Sequence, residues 1–128
     1  MTYFFDRTWG RYTPLALLLL DFDIEIHDTH FGEATEDDVW IPEVSRRGWV
    51  ILSENDPHAN KREWEMWQRM ITQHDARAFI FGTASVKKHL KFRAVVDAWD
   101  EMERIVATRA APFAYRVTRS GDVRAIDL

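Results

Sequence analysis

The sequence predicts an α/β domain in which a mainly parallel central sheet carries helices on both sides and a β-hairpin closes the chain. Four short segments, beginning at residues 3, 21, 49 and 76, each have the character of a β-strand, the second by alternating polar and apolar residues. A segment with helical periodicity follows each of them, and such strand–helix alternation is typical of parallel sheets. After the last helix, residues 113–119 and 123–128 alternate polar and apolar side chains around Ser120-Gly121-Asp122. This last pattern predicts the hairpin.

Length and composition indicate one domain over residues 1–128. The chain is 46% hydrophobic and has six Trp and eight Phe, enough to fill a core. Cysteine is absent, which excludes disulfides and thiolate metal sites and agrees with a cytoplasmic location. The net charge of −4 argues against a wholly basic nucleic-acid binder but leaves room for local basic patches. The apolar run at residues 15–20 is too short to span a bilayer, so no membrane association is expected.

The first strand, residues 3–5, ends on Asp6. Thr13 and Pro14 indicate an N-cap followed by the first residue of a helix at 14–20. Because that helix is almost wholly apolar, we expect it to pack between the sheet and other elements. The second strand, residues 21–28, leads into a polar cluster at residues 27–30 that contains two histidines. Its spacing matches no strong zinc motif, so capping or hydrogen-bonding histidines are the favoured interpretation.

The middle of the chain alternates helices and buried strands. A helix begins near Thr35 to Asp38, and Pro42 is expected to kink or restart it before Gly48 ends it. Residues 49–52 form a strand buried on both faces, and a helix at about 58–72 follows. A fourth strand at 76–81 precedes a long helix that Thr83 or Ser85 caps and that ends near residue 106. The apolar stripe of this last helix is expected to be core.

Three acids lie at tips of predicted elements: Asp6 ends the first strand, Asp37 opens the second helix, and Asp56 follows the third strand. In a right-handed parallel sheet these places converge on one edge. Clustered carboxylates repel each other, and a hard divalent cation such as Mg²⁺ relieves that repulsion. Taken singly, each aspartate is better explained as a residue of a cap or a turn. Their joint placement predicts a metal site that could activate water for phosphodiester hydrolysis.

Four segments resemble the PIN-like domains related to VapC toxins. They are residues 3–7 (YFFDR), 27–31 (HDTHF), 37–44 (DDVWIPEV) and 48–53 (GWVILS). The similarity extends in order and spacing over roughly residues 2–82. It implies a three-layer PIN-like fold, cleavage of RNA that depends on Mg²⁺ or Mn²⁺, and a role as the toxin of a bacterial toxin–antitoxin pair. It also implies a cognate antitoxin protein as partner and makes a homodimer plausible.

The resemblance assigns roles residue by residue. Asp6 and Asp37 match two of the family's acids, and Asp38 is a neighbouring substitute. Where the family closes its third strand with an acid, this chain has Asn55, and Asp56 comes one place later. The implied catalytic residues are thus Asp6, Asp37 and Asp56, and the implied metal ligands are these three and Asn55.

The basic side chains nearest to the proposed mouth are Arg7, Arg11, Lys61 and Arg62, which we expect to contact RNA phosphates. Lys87, Lys88 and Lys91 form another basic group, interpreted as solvated surface lysines.

The two departures from the family pattern motivate a second hypothesis. Asn55 brings no charge, and residues 82–85 supply no fourth acid. The chain could therefore be a PIN-like binding or regulatory module with weakened catalysis. A DNA-directed nuclease of the same fold is a third, weaker hypothesis.

Overall fold

The computed structural model describes residues 1–54, 56 and 59–128 and contains one six-stranded sheet. The strand order is β2-β1-β3-β4-β5-β6. Neighbouring strands are parallel except for β5 and β6, which are antiparallel. The strands are β1 (Tyr3–Phe5), β2 (Ile24–Ile26), β3 (Val50–Ser53), β4 (Arg77–Phe81), β5 (Phe113–Val117) and β6 (Val123–Ile126). The helices are α1 (Tyr12–Leu19), α2 (His27–His30), α3 (Asp37–Arg46), α4 (Lys61–Gln73) and α5 (Lys88–Thr108).

The strand order places a topological switch point between β1 and β3. From β1 the chain crosses to β2 on one side, and it then returns past β1 to form β3 on the other side. In open α/β sheets, ligands bind outside the carboxyl ends of the strands at such a point. The carboxyl ends of β1 and β3 are therefore where a functional site is expected.

Alternation of side chains along the buried strands builds a separate core on each face of the sheet. Tyr3 and Phe5 pack with α1 and α5 on one face. Phe4 points to the other face, where Trp40 of α3 and Trp67 of α4 cover it. The two cores and the sheet between them make three layers. This confirms the predicted α/β class with a mainly parallel sheet, helices on both sides and a C-terminal hairpin.

The first helix differs from its prediction in start and burial. It begins at Tyr12, so Thr13 and Pro14 lie inside its first turn, where a backbone N–H has no helical partner to lose. We expected this apolar helix to pack between the sheet and other elements; it contacts β2 and α5, but only part of it is buried. Leu17 is buried, but Leu19 is 85% exposed and Leu15, Leu18 and Leu20 are also exposed.

Four further elements differ from their predictions. The second strand is shorter than predicted, and the polar cluster at 27–30 forms the short helix α2. Helix α3 continues through Pro42 without a break. Helix α4 begins at Lys61 because the Asn60 side chain accepts a hydrogen bond from the Glu63 N–H. Over residues 1–54, 56 and 59–128, no helix combines the length and the apolar character that crossing a membrane requires.

Candidate active site

Asp6 lies where β1 ends and is only 5% exposed. Its carboxylate caps a short 3₁₀ turn (Arg7–Trp9) by accepting hydrogen bonds from the Thr8 N–H, at 3.1 Å, and from the Thr8 hydroxyl. Its own backbone N–H donates to the Leu52 carbonyl of β3 at 3.2 Å. The carboxylate is thus fixed at the switch point between β1 and β3.

Asp37 is the first residue of α3 and is held by two buried tryptophans. The indole N–H of Trp40 donates to one carboxylate oxygen at 2.9 Å, and that of Trp67 donates to the other at 3.2 Å. The two indole rings pack edge to face with centroids 5.9 Å apart. The orientation of the Asp37 carboxylate is therefore determined by the core between α3 and α4. Each oxygen keeps a further lone pair for another partner.

Asp6 and Asp37 line the same cavity of about 190 Å³, together with Arg7, Thr8, His27, Thr35 and Trp40. Burial, with a small contribution from the Asp37 charge, raises the pKa of Asp6 to about 7. Hydrogen bonds from Ser53 and Thr8 oppose this rise without cancelling it. The pocket therefore holds a carboxyl group whose ionised form lacks compensation by a positive charge.

His27 forms an uncharged part of the pocket wall. It is 1% exposed, and burial lowers the pKa of its imidazole. Its Nδ1 lies 3.4 Å from the Asp28 carboxylate, while Nε2 has no hydrogen-bond partner among the described residues. The neighbouring His30 makes the kind of contact that we expected for this cluster, with Nε2 2.8 Å from the Glu25 carboxylate.

Asp56 is placed beside a different cavity, of about 500 Å³, that also borders Thr8, Glu54 and Gly82. The guanidinium of Arg116 on β5 donates two hydrogen bonds to its carboxylate, at 3.0 and 3.1 Å. Asn55 lies outside the described residues. Among the residues that the structure describes, no group of three or more His, Asp or Glu is arranged to hold a metal ion. Roles for Asn55 and Asp56 in metal binding or catalysis remain predictions.

Glu54 is a buried acid that the sequence analysis did not select. Its carboxylate accepts hydrogen bonds from the Thr83 hydroxyl at 2.5 Å and from the Lys91 ammonium at 3.0 Å. Its backbone N–H donates to the Thr8 hydroxyl, which links Glu54 to Asp6. The interpretation of Lys91 as a solvated surface lysine is therefore wrong, because its side chain is only 16% exposed. Lys87 and Lys88 are exposed, as expected.

Of the four predicted RNA-binding residues, Arg7 alone lines the Asp6–Asp37 cavity. It also pairs with Glu33 at 3.1 Å. Arg11, Lys61 and Arg62 have exposed side chains. A neighbouring cavity of about 630 Å³ shares Arg7 and Asp37 and is lined by four more acids, which are Glu33, Glu36, Asp38 and Glu63. The surroundings of the site are thus predominantly acidic.

The donor set of the pocket fits a hard divalent cation. Mg²⁺ is usually held by one or two carboxylates, with water and substrate phosphate as the remaining ligands. Asp6 and Asp37 supply two carboxylates in one cavity, and the uncompensated Asp6 would gain from a nearby positive charge.

These features define a small three-layer α/β domain with an acidic pocket at the switch point of its parallel sheet. A family model described as a PIN-like domain matches residues 1–83, and the chain belongs to that family. The matched region contains the acids of the pocket and ends just after β4. Membership indicates a function of the nuclease type. Comparisons with curated proteins and with solved structures gave no match.

Proposed function

We propose that this protein is a metal-dependent endoribonuclease and the toxin of a bacterial toxin–antitoxin pair. The observation that carries the proposal is the shared cavity of Asp6 and Asp37 at the carboxyl end of β1. The resemblance of residues 2–82 to VapC-related domains supports the choice of RNA as substrate and of a cytoplasmic location. A cognate antitoxin protein and a homodimer belong to the same proposal.

Asp6 and Asp37 would hold the Mg²⁺ or Mn²⁺ ion. When bound, the ion supplies an activated water and stabilises charge on the phosphodiester in transit. Thr8 orients the Asp6 carboxylate, and the two indole N–H groups orient that of Asp37. Such fixed orientation limits reorganisation at the moment of reaction. Arg7 lines the same cavity and is placed to pair with an incoming phosphate.

RNA cleavage by purified variants tests the proposal. Wild type, Asp6→Asn, Asp37→Asn and Asp97→Asn are incubated with labelled RNA and Mg²⁺ or Mn²⁺, with chelator as control. We expect the first two variants to lose at least about 100-fold in rate, since each removes one of two charged ligands. Asp97 is exposed on α5 and pairs with Arg93, so its variant should cleave like wild type. Equal cleavage by Asp6→Asn and wild type would refute the proposal, and DNA in parallel tests the third hypothesis.

A second candidate is a PIN-like module that binds RNA or protein with little or no catalysis. It is favoured by the pairing of two acids that follow β3 with cations of the chain itself, Glu54 with Lys91 and Asp56 with Arg116. Saturable RNA binding without cleavage in either metal, and without growth arrest on expression, would favour this candidate.

A further inference from the structure

A second cavity, of about 510 Å³, lies at the opposite end of β1 from Asp6. One side is the connection between α1 and β2, from Leu20 to Asp23, and the other side is α5. None of its lining residues borders the Asp6–Asp37 cavity. It is therefore a site separate from the proposed nuclease centre.

Three aromatic side chains, together with Met1 and Leu20, form the apolar part of this cavity. The rings of Tyr3 and Trp99 have centroids 4.5 Å apart, and Phe22 packs edge to face on Trp99 at 4.7 Å. Aromatic faces attract organic cations through their quadrupole and also cover methylene groups well.

Most of the remaining lining is acidic, and Met1, which carries the N-terminal ammonium, also borders the cavity. Asp21 and Asp23 contribute from the α1–β2 connection, and Asp100 and Glu103 contribute from α5. Lys, Arg and His side chains are absent from the lining residues that the structure describes, and none of these four acids forms an ion pair with a described cation. Four carboxylates outnumber the single ammonium, so the local potential is negative and concentrates cations.

The hydroxyl of Tyr3 is an independent sign of a ligand. Tyr3 is 2% exposed, and its hydroxyl is buried without a hydrogen-bond partner among the described residues. Tyr3 and Glu103 both line the cavity, and burial and then the Glu103 charge raise the pKa of this hydroxyl. A buried hydroxyl without a partner is costly, and a donor entering the cavity would relieve that cost.

We propose that this cavity binds a polyamine, a linear aliphatic cation with several ammonium groups. The ammonium groups would pair with the carboxylates of Asp100 and Glu103 and donate to the Tyr3 hydroxyl. The methylene segments between them would lie on the aromatic wall formed by Phe22 and Trp99. A bare metal cation matches the charge but cannot use this wall.

Calorimetric titration of the full chain with spermidine at physiological salt tests the proposal. We expect one site with a dissociation constant of about 100 µM or tighter. Glu103→Gln and Asp100→Asn should each weaken binding about fivefold to tenfold. Tyr3→Phe should weaken it about fivefold without lowering the melting temperature of the free protein, because it removes a hydroxyl that lacks a partner.

Two matched variants and two competitors complete the experiment. Asp97→Asn changes an exposed acid of α5 that pairs with Arg93, and Asp6→Asn changes the nuclease pocket. Both should bind spermidine within about twofold of wild type. The proposal would be overturned if Mg²⁺, added at the same total positive charge as spermidine, displaced spermidine from the site. It would also be overturned if Glu103→Gln bound spermidine as tightly as wild type. Tighter binding of trilysine than of spermidine would overturn it in favour of a lysine side chain from a partner protein.

Discussion

Replacement of Asp6 by asparagine should stabilise the protein at alkaline pH and not at acid pH. Burial raises the pKa of Asp6 from 3.8 to about 7, so the folded protein binds this proton more tightly than the unfolded chain. Below about pH 4 the Asp6 carboxyl is protonated in both the folded and the unfolded state, so it does not lower the free energy of unfolding. As the pH rises towards 7, the unfolded chain releases the proton first, and the free energy of unfolding falls.

The size of the effect follows from the two pKa values. The folded and unfolded pKa values of Asp6 differ by about three units, and each unit corresponds to about 1.4 kcal/mol. Above pH 7 the variant can therefore gain at most about 4 kcal/mol in free energy of unfolding. The asparagine carbonyl can still accept the hydrogen bond from the Thr8 N–H, so the variant loses mainly the charge. A domain of this length should therefore gain on the order of 10 °C in melting temperature at pH 8.

Urea unfolding of wild type, Asp6→Asn and Asp38→Asn at pH 5, 6, 7 and 8 measures this difference. Burial lowers the pKa of His27, so its contribution to stability falls as the pH drops through its unfolded value of 6.5. That opposite trend occurs in all three proteins and cancels in the comparison. A stability difference between Asp6→Asn and wild type that is the same at pH 5 and pH 8 would refute the reasoning.

Two further predictions concern the acids that follow β3. Lys91→Met should destabilise the fold by about 3–5 kcal/mol in urea unfolding, because it leaves the buried Glu54 charge without its cation. Adding Glu54→Gln to Lys91→Met should restore much of the lost stability. The control Lys87→Met, just before the exposed start of α5, should change stability little. Equal destabilisation by the two lysine variants would contradict the ion pair between Lys91 and Glu54. Asp56→Asn should reduce the RNA cleavage rate less than Asp6→Asn, because Arg116 holds Asp56 beside another cavity. A larger loss for Asp56→Asn would show that Asp56 moves into the nuclease pocket.

The layout of the sheet could be predicted from the sequence because it depends on local patterns. The central strands β1 and β3 are short apolar runs that polar residues follow, β2 and β6 alternate polar and apolar residues, and the turn at Gly121, with φ of 86°, marks the hairpin. Burial of α1 could not be predicted in this way. A helix of eight residues presents only one face to the core, and its composition alone does not show that Leu17 faces inward while Leu19 faces solvent.

The sequence could predict those parts of the candidate site that depend on the topology of the sheet. Asp6 and Asp37 follow the rule that strand ends and helix starts meet at one edge of a parallel sheet. The partners of the remaining charges depend on contacts distant in sequence, such as Lys91 with Glu54 and Arg116 with Asp56, at separations of 37 and 60 residues. The position of Glu54 directly after the buried strand β3 was the one local signal that could have indicated its role.

Binding of Mn²⁺ to the wild type and to three single variants is the most direct test of a shared metal pocket. Calorimetric titration at pH 8 should show one saturable site in the wild type and in the control Asp97→Asn, and its loss in both Asp6→Asn and Asp37→Asn. Wild-type affinity for Mn²⁺ in either of the last two variants would contradict the account.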